Sequence, residues 1–237
     1  MRPRAIAIGD IHGCALALDA LLEAIGPRPE DVIVTLGDYI NRGPDSRDVL
    51  DRLIELERQC TLVPILGNHD QMLLAALAGE DRALSDLLDM GGGATLASYG
   101  AGRITEADLV RIPPTHCAFL ERCRDYYETE THIFVHAQYD PDETMDEQSS
   151  LWLRWESLRY GIPDPHVSGK RAIVGHSSQK SGEVLDVGHL VCIDTYCYGG
   201  GWLTALDVDT DELWQVDSQG EPRRIGGAEV SSRAAGC

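Results

Sequence analysis

The feature that most restricts the fold is a threefold repeat in the first third of the chain: apolar strand, polar glycine turn, amphipathic helix. "RAIAI" leads through "GDIHG" to a helix over about Ala15 to Ile25. "VIVTL" leads through "GDYINRG" to a helix from about Asp45 to Glu57, with Asp45 or Ser46 as its cap. "TLVPIL" leads through "GNHD" to a third helix that Gly79 ends. Such alternation predicts parallel βαβ units and an α/β fold class. In parallel sheets the carboxyl ends of the strands converge on one edge, where ligands bind. The three polar turns are therefore expected to meet.

The remaining chain loses this rhythm. Residues 80–125, with the break "GGGAT" and the pair Pro113–Pro114, read as a helical, cap-like insertion bordering that edge. From Tyr126 the segments "DYYET", "THIFVHA", "RAIVGH", "HLVCIDT", "WLTALDV" and "ELWQV" read as strands of a second, largely antiparallel sheet. A single domain over residues 1–225 is expected, with a disordered tail at 226–237.

Charge and cysteine usage exclude some functions. A formal net charge of −19 argues against duplex nucleic acid as a partner, because a polyanion would meet a negative surface. No apolar run reaches the roughly 18–20 residues that span a bilayer, so no membrane association is expected. The seven cysteines form no CxxC pair, which suits reduced thiols and a cytoplasmic location. The oligomeric state is open.

The strand ends carry the chemistry. Asp10 and His12 follow the first strand, Asp38 the second, and Asn68, His69 and Asp70 the third. His136 and His176 end two later strands, "FVHA" and "IVGH". Carboxylates, imidazoles and one amide oxygen suit a pair of borderline divalent ions such as manganese, iron or zinc. No thiolate joins the set, which argues against a structural zinc site. A lone histidine at a strand end is ordinarily a surface or satisfied core residue; His116, His132, His166 and His189 are read that way. Five polar segments, each after an apolar strand, are not explained so easily.

Together "GDIHG", "GDYINRG", "GNHD", "VHA" and "VGH" resemble the calcineurin-like metallophosphoesterases. More narrowly they resemble the phosphoprotein phosphatases and their bacterial serine/threonine members. The resemblance implies a four-layer α/β/β/α sandwich with two central mixed sheets. It makes Asp10 and His12 ligands of one metal and Asp38 the bridge, with Asn68, His136 and His176 completing the second. It implies a phosphatase that hydrolyses phosphomonoesters by in-line attack of a metal-bridging hydroxide, most simply on phosphoserine or phosphothreonine in a protein. A small phosphorylated substrate is the other class, and manganese is the expected ion.

Arg42 is then a bidentate phosphate ligand, and Arg154 of "SLWLRWESL" a second one. His69 is the proton donor to the leaving oxygen. At Asn41 most family members carry an aspartate that orients this histidine and raises its pKa. An asparagine supplies no charge and can present its NH₂ instead. Asp70 is either a neighbouring substitute carboxylate or a helix cap. Asn41, "RGP" and Leu66 before "GNH" also resemble the symmetrical diadenosine tetraphosphatases, so a dinucleoside-polyphosphate hydrolase is the alternative. A scaffold without turnover is disfavoured by the apparently intact ligand set.

Overall fold

A computed structural model describes residues 3–102 and 105–223; the expected tail at 226–237 lies outside the described residues. Strands β1 (Ala5–Ile8), β2 (Val32–Thr35) and β3 (Thr61–Pro64) alternate with α1 (Ala15–Ile25), α2 (Ser46–Leu56) and α3 (Asn68–Leu77). Two further helices, α4 (Ala83–Asp89) and α5 (Gly92–Ser98), follow; a 3₁₀ turn (Glu106–Arg111) then leads to α6 (Pro114–Glu121). The later elements are β4 (Tyr126–Glu128), β5 (His132–Val135), α7 (Ser150–Arg154), β6 (Arg171–Val174), β7 (Leu185–Asp186) and β8 (Leu190–Cys192). The order closes with β9 (Asp194–Thr195), β10 (Trp202–Asp207) and β11 (Glu212–Val216).

Two mixed sheets result. The first has the order β11-β10-β1-β2-β3, with β9 also paired to β10; β1, β2 and β3 are parallel and β10 runs antiparallel to β1. The second has the order β4-β5-β6-β8-β7, and β5, β6 and β8 are parallel. This corrects two expectations. The second sheet is parallel at its centre, antiparallel only at its edges. The strands "WLTALDV" and "ELWQV" belong to the first sheet. The reason lies in β10, which is buried on both faces: Leu203 and Ala205 pack with the helices while Leu206 packs between the sheets. A strand covered on both sides has no polar alternation to show which sheet it joins.

The layers follow from which side chains each sheet buries. One face of the first sheet packs against α1, α2, α3 and the insertion helices through residues such as Ile6, Ile8, Leu18, Leu50 and Leu73. Its other face meets the second sheet through Ala7, Val34, Val63, Phe134, Ile173 and Val191. The outer face of the second sheet is covered by α7 and its flanking loops through Tyr139, Met145, Leu153 and Leu158. Each fully buried aliphatic side chain favours this arrangement by about 1.5–3 kcal/mol before chain entropy is charged against it. Among the described residues no helix is long and apolar enough to cross a membrane, and the six described cysteines are unpaired.

Tyr39 connects this core to the loops at the strand ends. It is fully buried, and its hydroxyl donates to the Ile65 carbonyl at 2.6 Å and lies 3.0 Å from Thr35 Oγ1. The loop after β2 is thereby fastened to the end of β3. Removing the hydroxyl leaves a buried carbonyl short of a donor. Tyr39→Phe is expected to cost about 1–2 kcal/mol in urea unfolding; unchanged stability would contradict this role for the hydroxyl.

Candidate metal centre

The polar turns meet at one edge, and the backbone bends sharply to aim them there. His12, Asp38, Asn41, Arg42 and His176 all have positive φ, between 46° and 71°. Non-glycine residues rarely adopt this region, and each such residue is held there by its surroundings. Asp70 supplies much of that hold for the second turn. Its carboxylate accepts from the backbone N–H of Asp38 at 2.7 Å, Tyr39 at 3.1 Å and Gly67 at 3.1 Å. Of the two roles considered for Asp70, the cap is the one its contacts describe: it closes the first turn of α3 and pins the Asp38 loop to it. Gly67 has to be glycine, since a Cβ there would lie 2.2 Å from the Asp38 nitrogen.

Asp38 sits at the centre, 2% exposed. Its Oδ2 is 3.5 Å from His12 Nε2 and 3.9 Å from His69 Nε2, and its Oδ1 is 3.5 Å from His136 Nε2. Two donor clusters share it: His12, Asp38 and His69, and Asp38, His136 and His176, with the donor atoms of each within 4.8 Å of one another. Asn68 Oδ1 joins the second cluster, 3.1 Å from His136 Nε2 and 3.0 Å from His176 Nδ1. Asp10 is placed differently from the rest. Its carboxylate accepts from the His176 N–H at 3.0 and 3.1 Å, so it faces the second cluster's loop. A Cβ on Gly175 would stand 2.1 Å from Asp10 Oδ1, so the approach of these two loops also requires glycine.

The donor set fits a pair of divalent ions. His12 Nδ1 donates to the Ile40 carbonyl at 3.0 Å, His136 Nδ1 to Leu36 at 2.7 Å and His176 Nε2 to Trp155 at 3.1 Å. Each of these rings thereby turns its other, unprotonated nitrogen toward the cluster, as oriented metal ligands do. The electrostatics point the same way. Burial holds His12 at about 4 and His69 at about 2 and pushes His136 well below its ordinary range, so the imidazoles are neutral. Burial, with Asp194 and Asp38 nearby, raises Asp10; burial, with Asp70 nearby, raises Asp38. Crowded buried carboxyl groups beside neutral imidazoles are a donor set that bound cations would stabilise in its ionised form.

Around this centre lies a pocket of about 300 Å³ lined by His12, Asp38, Arg42, Asn68 and His69, with Met90, Trp155, Arg159, Tyr160, His176 and Tyr198. Arg42 reaches it. Arg154 does not: α7 turns it inward, only 8% exposed, and its guanidinium pairs with Asp125. Five residues later Arg159 lines the pocket instead. Its sequence context carries no signal, because a five-residue helix does not determine where a following loop arginine points. Asp194 was also missed. It is buried beside Asp10, accepting from Ser178 Oγ at 2.7 Å and Tyr196 N at 3.0 Å. The signal was available, since "VCID" repeats the strand-then-acid pattern of Asp10 and Asp38.

The Asn41 amide faces His69 from behind. Its nitrogen lies 2.8 Å from His69 Nδ1, and its oxygen accepts from Thr95 Oγ1 at 2.7 Å. Thr95 belongs to α5, so that helix contacts the Asn41 turn. Of the histidines read as structural, His116 is buried against Tyr99 and Asp51, outside the pocket.

If these donors bind metal, the ions stabilise the folded chain by linkage, about 2.7 kcal/mol at a free concentration one hundred times the dissociation constant. Manganese is expected to raise the melting temperature in scanning calorimetry, and His136→Ala to remove most of that rise. Identical melts with and without metal would contradict the assignment.

The fold agrees with the relatives of this chain. Residues 3–210 match the family of calcineurin-like phosphoesterases. The chain is 31% identical over 204 residues to serine/threonine-protein phosphatase 1 of Salmonella typhimurium, covering 83% of this chain and 88% of that one. It is 50% identical over 76 residues to the symmetrical bis(5'-nucleosyl)-tetraphosphatase of an Acidovorax species, which is 32% of this chain but only 26% of the relative. In fold it matches a candidate diadenosine tetraphosphatase with a TM-score of 0.70 at 22% identity, over 94% of this chain and 95% of that one. The chain belongs to the calcineurin-like phosphoesterases, as a metal-binding phosphoester hydrolase.

Proposed function

We propose that the protein is a dinuclear-metal-dependent phosphatase, manganese being the preferred ion, that hydrolyses phosphomonoesters on protein side chains. The observation that carries this reading is the pair of donor clusters sharing Asp38 in a pocket that also holds Arg42. His12, Asp38, Asn68, His136 and His176, with Asp10 turning in from the neighbouring loop, would hold the ions. Two divalent ions in such a site supply an activated water and neutralise phosphoryl oxygens. The chain's own residues do the rest. Arg42 presents its N–H donors to the phosphoryl oxygens and orients the ester for in-line displacement. Arg159, which lines the pocket where Arg154 does not, would supply the second cationic position. The relative from Salmonella, which this chain matches over most of its length, supports a protein substrate.

Asn41 sets what kind of ester turns over well. Its amide nitrogen donates to His69 Nδ1, which leaves the ring proton on Nε2, facing the pocket. Burial keeps that ring neutral. A neutral imidazole is a far weaker acid than an imidazolium, so a departing serine alkoxide receives little help. An aryl or nucleotide leaving group needs little. This favours phosphotyrosine and aryl phosphates over phosphoserine, and it supports a second reading, a dinucleoside-polyphosphate hydrolase, for which the 76-residue match also speaks.

One set of assays tests both readings. The metal-reconstituted protein and its Asn41→Asp variant are compared on a phosphoserine peptide, an aryl phosphate and diadenosine tetraphosphate. The aspartate accepts the Nδ1 proton and favours the charged ring, so phosphoserine turnover is expected to rise about tenfold or more, and aryl turnover much less. Equal gains on both would remove the leaving-group explanation. Cleavage of diadenosine tetraphosphate orders of magnitude faster than any phosphopeptide would replace the phosphatase reading with the second one.

A further inference from the structure

Many arginines of this acidic chain are paired with acids. Arg4 pairs with Asp31, Arg52 with Asp19, Arg122 with Glu57, Arg171 with Asp186 and Arg223 with Glu183. Each of those pairs uses guanidinium N–H donors. Among the described residues the Arg42 guanidinium forms no hydrogen bond or direct ion pair, although Asp38 and Asp45 flank it in sequence and its charge acts on the buried Asp38 from a distance. Its guanidinium carbon instead lies over the ring of Tyr198, 5.2 Å from the centroid. The backbone of Arg42 is fixed separately, in a left-handed conformation, with its N–H donating to the Gly91 carbonyl at 3.3 Å.

The ring is itself held. Tyr198 is half-buried and meets His12 edge-on at 4.7 Å and Tyr196 at 4.8 Å. It sits in the short 3₁₀ turn Cys197–Gly199, whose Cys197 is buried in the core. Together Arg42 and Tyr198 line both the catalytic pocket and a neighbouring groove of about 310 Å³ that contains Leu16 and Pro44. They form the wall between the two.

We propose that Tyr198 is a positioning residue for Arg42: its ring face holds the guanidinium by charge–quadrupole attraction and leaves the N–H donors free for a phosphoryl group. A carboxylate in the same place would hold the arginine equally well but would occupy those donors and cancel its charge. An aromatic face restrains the cation without doing either. The role rests on the reading of Arg42 as the phosphate ligand.

The test is calorimetric titration of inorganic phosphate into the metal-loaded protein, with elemental analysis confirming equal metal content in every variant. Tyr198→Leu and Tyr198→Met remove the ring charge distribution; both are made in case one fails to fold. Phosphate binding is expected to weaken about 3- to 30-fold, the range of a cation–ring contact from exposed to desolvated. Tyr198→Phe keeps the ring and is expected to stay within about twofold of the parent. In an Arg42→Ala background the Leu and Met changes should have no further effect. If Arg42→Ala weakens phosphate and Tyr198→Leu and →Met do not, the positioning role is wrong and the reading of Arg42 stands. Equal losses from Tyr198→Leu with and without Arg42 would also overturn it, because the ring would then act by another route, such as His12. Unchanged affinity in Arg42→Ala would overturn the reading of Arg42 and this inference with it.

Discussion

The carboxylate of Asp70 is the tie on which the site depends. Strands β1, β2 and β3 bring three turns to one sheet edge, but a sheet edge alone does not fix side chains to within an ångström. Asp70 accepts three backbone N–H groups, two from the Asp38 turn and one from the start of α3. It thereby sets Asp38 and the Asn68–His69 turn in one frame. The N–H of His69 then donates to Asp38 Oδ1 at 3.0 Å, which closes the link from the other side. A buried carboxyl group that accepts several backbone donors is among the stronger local restraints available to a loop. The left-handed residues of the Asp38 turn are affordable because of it.

The same frame explains why the site suits cations. Asp10, Asp38 and Asp194 are each buried to within a few per cent, and the imidazoles beside them are neutral. Among the described residues neither Arg42 nor Arg159 forms a direct ion pair with them, although Arg42 acts on Asp38 and Arg159 on Asp194 from a distance. Buried like charges of this kind destabilise a fold unless a cation offsets them. The arrangement makes sense as a site whose charge balance is completed by bound ions, and whose remaining arginines are reserved for the anion that the ions attract.

Much of this was legible from the residues. Local strand and helix signals placed β1 to β3 and α1 to α3 within a residue or two, because each strand is short and apolar and each turn begins with glycine. The rule that ligands gather at the carboxyl ends of parallel strands collected Asp10, His12, Asp38, Asn68 and His69, and the polar ends of two later strands added His136 and His176. What was not legible depends on approach in three dimensions. β10 is buried on both faces, so its pattern carried no sheet assignment. The direction of Arg154 is decided by the docking of α7, where the backbone N–H of Ala137 donates to the Leu153 carbonyl at 2.9 Å. Thr95 and Tyr198 meet Asn41 and Arg42 only through the insertion and the closing strands, more than fifty residues away in sequence.

The central claim is that one carboxylate, Asp38, joins two metal positions. The most direct measurement is anomalous scattering from crystals of the manganese-loaded protein, recorded at the manganese absorption edge. Two peaks on either side of Asp38 are expected, one beside His12 and the other among Asn68, His136 and His176, separated by about 3.5–4 Å as in two-metal sites generally. A single peak, or peaks that do not share Asp38, would contradict it.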